Sequence, residues 1–206
     1  MKLYDYLPSG NGYKVRLLLS QLGIPFTLIE KDIAKGETRT PEFLAINPNG
    51  RIPVLELDDG RHLSESDAIL FYLAEGTPFL PEERFARADV LRWMFFEQYS
   101  HEPYIAVARA WLHVFAGRKV DPDRLREEME GGYQALDVME RHLADRRFFV
   151  AERYTIADIA LYAYTHVAHE GGHDLAPYPS VRAWLARVAA QPRYVELTTQ
   201  PKAARG

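Results

Sequence analysis

The sequence contains no cysteine. That absence excludes disulfide bridges, cysteine-ligated zinc and a thiol nucleophile supplied by the protein, so any sulfur chemistry has to arrive with a ligand. Long apolar runs are missing too. No stretch approaches the roughly 20 residues of a membrane span, and Met1-Lys2 passes directly into Leu3-Tyr4 without a secretory signal pattern. The expected location is cytoplasmic, with no membrane contact. Nor is there an excess of positive charge: a net charge of -4 over 206 residues gives no basic stripe for the phosphates of a nucleic acid. What remains is 47% hydrophobic and 26% charged, the composition of a globular chain long enough for one large domain or two small ones.

The first part alternates strand and helix signals. Lys2 to Tyr6 reads as a strand; Val15, Leu18, Leu19 and Leu22 recur at helical spacing until Gly23 and Pro25 end the run. Phe26 to Ile33 is a second strand, and Pro41-Glu42-Phe43-Leu44 opens a short helix. "IPVLELDDGRHLSE" alternates on both sides of Asp59-Gly60, a hairpin signal. Residues 65–75 form another helix with Ile69, Tyr72 and Leu73 on one face. The order βαβα then ββα predicts a mixed four-stranded sheet with helices packed on it. After Gly76-Thr77-Pro78 and Pro81 the strand signals stop. Residues 83–116 carry one long helical pattern with a kink near Pro103, 123–144 a second, 154–172 a third and 179–192 a fourth. The expected division is an α/β domain over 1–78 and an all-helical domain over 84–206.

Several motifs bear on chemistry or on how a helix starts. Gly10-Asn11-Gly12, between a strand and a helix, resembles part of a dinucleotide fingerprint, but Val15 stands where the third glycine belongs. The other reading is a turn whose glycines relieve φ strain and whose Asn11 caps the helix. Pro53, at the head of a strand, either starts that strand without a ladder donor or sits in a cis bond that turns the backbone of Ile52 outward. In "LSESDAILFYL", Ser66 is placed to cap a helix whose N-terminus also attracts anions, while Glu65 supplies a negative charge. A carboxylate receptor beside an ammonium receptor matches an amino-acid zwitterion. Finally, Thr155 and Asp158 form a capping box that starts a helix. His166, His169 and His173 lie near one helix, yet no acid completes a metal motif and Gly171-Gly172 interrupts them. They are expected to be exposed helix-end histidines, with no metal.

In their order along the chain, "NPNGRIPVLE", "SESDAILFYL" and "TIADIALY" resemble the cytosolic glutathione transferase superfamily over nearly the whole sequence. That resemblance implies a thioredoxin-like βαβαββα domain, a cis bond at Pro53, a homodimer, and a glutathione site on the first domain. Glutathione would be a cosubstrate, with no tightly bound cofactor. Carried over by position, Glu65 and Ser66 hold its γ-glutamyl end, Ile52 beside Pro53 pairs with the cysteinyl backbone, and Arg51 reaches the glycine end. "PSGNGYK" resembles the serine-type and bacterial nu-like members, which places Ser9 first and Asn11 second at the sulfur. An acceptor pocket would come largely from the second domain, with Tyr99, Tyr104 and Trp111 as candidates to line it. The implied activity is conjugation of glutathione to a small electrophile, as in detoxification. A glutathione-dependent disulfide-bond oxidoreductase and a non-catalytic glutathione-binding protein are the alternatives.

Overall fold

The computed structural model describes residues 1–117 and 119–200. Its first unit is built on a four-stranded sheet in the order β2-β1-β3-β4. Strand β1 (Lys2–Asp5) runs parallel to β2 (Thr27–Glu30), with Leu3 opposite Leu28. It runs antiparallel to β3 (Val54–Glu56), which turns at Asp59-Gly60 into β4 (His62–Ser64). Alternation along β1 buries Leu3 and Asp5 on one face and leaves Tyr4 on the other, where its hydroxyl donates to Glu56 at 2.6 Å. Helices α1 (Gly10–Leu22) and α3 (Ser66–Ala74) pack together on the sheet, and α2 (Pro41–Ile46) is the short helix at Pro41. Leu3, Leu17, Leu18, Val54, Leu55, Ile69 and Leu70 form the fully buried centre.

Two expectations for this unit are corrected. Strand β2 ends at Glu30, short of Ile33, because the Asp32 carboxylate accepts the backbone N–H groups of Ala34 and Lys35 and starts a single tight turn there. Tyr72 does not share the buried face of Ile69 and Leu73; it is 48% exposed.

The chain divides after Glu75, and, of the described residues, 192–200 group with the first unit. The expected assignment of everything from 84 to 206 to the helical domain is therefore revised. Side chains of α1 satisfy carbonyls of that segment: Tyr13 Oη donates to Val195 O at 2.7 Å, Arg16 Nη1 to Leu197 O at 2.6 Å and Ser20 Oγ to Arg193 O at 2.8 Å. A segment without a helix or ladder of its own needs such partners when it lies against a core.

The second unit, Gly76–Gln191, is helical. Helix α4 (Arg84–Phe96) continues through a wide π turn, Glu97–His101, into α5 (Glu102–Arg109) and a second π turn, Ala110–Val114. Pro103, at the start of α5, has no N–H to give, and the π turn before it absorbs the missing bond. Helices α6 (Pro122–Leu143), α7 (Ile156–Thr165) and α8 (Pro179–Ala189) complete the unit. Every residue of α7 is buried. It opens with the capping box of Thr155 and Asp158, and Asp158 also accepts from Trp184 Nε1 at 2.9 Å. No helix among the described residues is long and apolar enough to cross a membrane.

The histidine expectation is corrected in part. His169 is exposed, but His173 is 1% exposed and His166 is only partly exposed, stacked 4.5 Å from Tyr162. Among the described residues no three His, Asp or Glu side chains converge as a metal site would require. Burial pushes the His166 imidazole down to about 4, aided by the charge of Arg109 and opposed by its bond to the Tyr162 carbonyl. Its folded pKa lies below the unfolded value of about 6.5. Stability is therefore intact above that value and declines as pH falls toward 4, because the unfolded chain takes up the proton first. In His166→Gln, the loss of stability between pH 7 and pH 4.5 should shrink by about 2 kcal/mol, after discounting for partial exposure. Urea unfolding of both proteins at the two pH values measures it; equal losses would show that His166 is not the acid-sensitive group.

Candidate functional site

Ser9 sits at the N-cap of α1, extended at φ -74° and ψ 127°. Its backbone N–H donates to Tyr6 O at 2.7 Å and its carbonyl accepts from Tyr13 N at 3.0 Å. The Ser9 hydroxyl oxygen accepts from Gly12 N at 3.3 Å. That bond uses a lone pair, so the hydroxyl proton is available to a ligand. Ser9 therefore does the capping expected of Asn11. The glycine reading is corrected as well, since Gly12 is not at positive φ. It is glycine for space: a Cβ there would lie 1.6 Å from Asp5 Oδ1.

Asp5 and Arg16 explain why the loop before α1 holds its shape. Both are buried, with Arg16 Nε 2.8 Å from Asp5 Oδ2. Asp5 Oδ1 accepts from Tyr6 N at 2.7 Å, and Arg16 Nη2 donates to Leu7 O at 2.7 Å. The pair thus grips both ends of the turn that delivers Ser9. Burial raises the Asp5 carboxyl to about 6, against the opposing pull of the Arg16 charge and the Tyr6 N–H.

The start of α3 differs from the sequence reading. Its N-cap is Glu65, at φ 68° and ψ 114°, with no side-chain capping bond. A non-glycine residue in that region is strained by about 1–3 kcal/mol, and such strain collects at ligand sites. Ser66 is the first helical residue, and its side chain turns inward. Ser66 Oγ lies 3.4 Å from Asn11 Oδ1 and 3.3 Å from Lys14 Nζ. Lys14 is completely buried and forms an ion pair with Asp67 Oδ1 at 3.2 Å. The starts of α1 and α3 are thereby joined by a polar chain, Asn11, Ser66, Lys14 and Asp67. Sequence reasoning missed Lys14. The available signal was its place one turn after Asn11 (i, i+3), in a helix whose one other charged residue is Arg16.

The third element is the loop before β3. Asn47 is buried; its Nδ2 donates to Arg51 O at 2.8 Å and its Oδ1 accepts from Asn49 N at 3.1 Å. Gly50, at φ 62°, occupies a left-handed position where a Cβ would come within 2.9 Å of the Thr38 carbonyl. The Ile52–Pro53 bond is cis. Pro53 is buried, Ile52 partly exposed and Arg51 exposed. Pro53 precedes the first ladder residue, Val54, so its missing donor costs the sheet nothing.

The three aromatics expected to line the acceptor pocket have separate surroundings. Tyr99 is 85% exposed. Tyr104 lies over Gly131 of α6, where a Cβ would meet its ring at 2.2 Å. Trp111 lies under the Arg124 guanidinium, 5.2 Å from the ring centroid. Tyr104 and Trp111 thus pack against α6 and a residue near its start.

Comparison with known proteins supplies what geometry cannot. Residues 1–75 match the glutathione S-transferase N-terminal domain and residues 122–187 the glutathione S-transferase C-terminal domain. The disulfide-bond oxidoreductase YfcG of Escherichia coli K12 is 33% identical over 194 residues, covering 91% of this chain and 89% of its own. The crystal structure of a glutathione S-transferase from Pseudomonas fluorescens superposes with a TM-score of 0.93 at 52% identity, covering 96% of this chain and 98% of that one. Ure2p in complex with glutathione gives a TM-score of 0.83 at 27% identity, over 93% and 90% of the two chains. With both domains of one family matched in order and bacterial relatives alike over most of their length, the chain belongs to the cytosolic glutathione transferase superfamily, close to its bacterial and YfcG/Ure2-like members.

Proposed function

We propose that the protein is a glutathione transferase that ionises the thiol of bound glutathione for attack on a small electrophile. The observation that carries this reading is the polar chain joining the starts of α1 and α3. It links Asn11 to Ser66 within one unit, with Ser9 two residues before the one and Glu65 next to the other. Glu65 takes the ammonium of the γ-glutamyl group, and the free backbone N–H groups at the start of α3, that of Ser66 first, take its carboxylate. The Ile52 backbone pairs with the cysteinyl residue, and Arg51 faces the glycine carboxylate. Hydrogen bonds from Ser9 and Asn11, together with the positive end of α1, favour thiolate over thiol. Ser9 is then a stabiliser and not a base. Tyr99, Tyr104 and Trp111 remain the candidates on the acceptor side. The reading includes a homodimer, which would cover exposed aromatics such as Phe85 and Phe95 of α4.

The likeness to YfcG favours a second activity. Without cysteine, the chain has no thiol for a mixed disulfide with its substrate. Bound glutathione thiolate would attack one sulfur of the substrate disulfide and expel the other as thiolate. A second glutathione thiolate would then release the remaining thiolate and leave oxidised glutathione. A binding protein without catalysis is the third alternative.

Wild type and Asn11→Ala, assayed for conjugation and for disulfide reduction at saturating glutathione, separate the three. If Asn11 orients the sulfur, both rates should fall about tenfold, the equivalent of one charge-assisted bond. The larger wild-type rate identifies the activity. Wild-type rates no higher than the uncatalysed background in both assays would leave only the binding protein.

A further inference from the structure

We propose that Lys14 is a positioning residue that, acting through Ser66, holds Asn11 with its amide N–H groups turned toward the sulfur of bound glutathione. The inference rests on the glutathione reading above and concerns how its sulfur contact is oriented.

An ammonium can only donate hydrogen bonds. Lys14 Nζ lies 3.3 Å from Ser66 Oγ and 3.2 Å from Asp67 Oδ1, with the lysine side chain wholly removed from solvent. Ser66 therefore accepts from Lys14 and has one proton left to give. Asn11 Oδ1, 3.4 Å away, stands in position to receive it. An asparagine amide carries its acceptor and its donors on opposite branches, so holding Oδ1 against Ser66 turns Nδ2 away from it. The direction of the chain is thus set at its buried end, Lys14 to Ser66 to Asn11, and what emerges is a donor. A thiolate accepts from that donor and would be repelled by the carbonyl oxygen of a flipped amide. Without the ammonium, the Ser66 hydroxyl loses the donor that sets its direction, and Asn11 Oδ1 the partner that holds it.

Direct attraction between the Lys14 charge and the sulfur is the competing account. Asp67 on α3 sits 3.2 Å from that charge and largely cancels it at a distance. Near the start of α1, Asp5 and Arg16 neutralise one another. Action through Ser66 and Asn11 therefore outweighs action through space.

The test is the pH titration of the thiolate ultraviolet absorbance of glutathione bound to four proteins: wild type, Lys14→Met, Asn11→Ala and the double variant. Lys14→Met should raise the bound thiol pKa by about one pH unit, with a matching tenfold loss of turnover below that pKa. Glutathione affinity should change less than about threefold. In the Asn11→Ala background, Lys14→Met should leave the thiol pKa where Asn11→Ala put it. If removing the lysine alone unfolds the protein by stranding Asp67, the pair Lys14→Met with Asp67→Asn replaces it in both backgrounds. An unchanged thiol pKa in folded Lys14→Met overturns the inference, and so does a full rise that persists without Asn11. These results leave the glutathione site standing. Only a wild type that binds no glutathione by calorimetry removes that site and this inference together.

Discussion

Gly12→Ala is expected to cost the protein about 3–5 kcal/mol of stability, the range for breaking a buried ion pair. The added methyl would fall 1.6 Å from a carboxylate oxygen of Asp5, which cannot withdraw without losing its 2.8 Å bond to Arg16. Both groups are buried, and a separated pair would leave each charge without its counter-ion. The damage should reach function, because Arg16 also holds the Leu7 carbonyl and so the turn that delivers Ser9. Urea unfolding followed by circular dichroism measures the cost. A loss below 1 kcal/mol would mean that the loop relaxes freely, and the rigid turn assigned to Asp5 and Arg16 would be wrong.

The second large effect concerns Glu65. Glu65→Ala should weaken glutathione binding by about 10–100-fold, corresponding to the 1.5–3 kcal/mol of a hydrogen bond to a charged group. Ser9→Ala should change affinity near neutral pH only about two- to threefold, since close to the bound thiol's pKa the gain of the thiolate bond is largely offset by the cost of releasing the proton. It should lower stability by about 1 kcal/mol as a lost N-cap. The positive φ of Glu65 allows a sharper comparison. Glu65→Gly relieves the strain and should be no less stable than wild type, yet it should bind glutathione as weakly as Glu65→Ala. Calorimetry on the three variants tests the division of labour. Equal, unchanged affinities would remove Glu65 and Ser9 from the site.

Much of this architecture is written in local signals. The hairpin at Asp59-Gly60, the helix opened by Pro41, the stop at Gly23 and the capping box at Thr155 each depend on residues close in sequence, and each is found where expected. The misreadings share one cause. Gly12 looks like a turn glycine until Asp5 is seen against it, and Ser66 looks like a cap until Lys14 is seen behind it. Residues 192–200 look like the end of a helical domain until α1 donates to carbonyls among them. Lys14 was passed over because a lysine in a helix ordinarily reaches solvent, whereas Asp67, 53 residues away, makes its burial possible. Contacts between distant residues leave no periodicity to read. For Arg51, Glu65 and the acceptor aromatics, it was resemblance to a family that gave them roles.

The central claim is that this chain binds glutathione at the joined starts of α1 and α3 and ionises its sulfur there. The most direct test is the pH titration of the thiolate absorbance of glutathione bound to the wild-type protein. A free thiol of this kind titrates near pH 8.5, and donors from Ser9 and Asn11 with the helix N-terminus should lower that by about one to two pH units. A bound thiol half-ionised between about pH 6.5 and 7.5 is the predicted result. A bound thiol that titrates as it does in free solution would contradict the account.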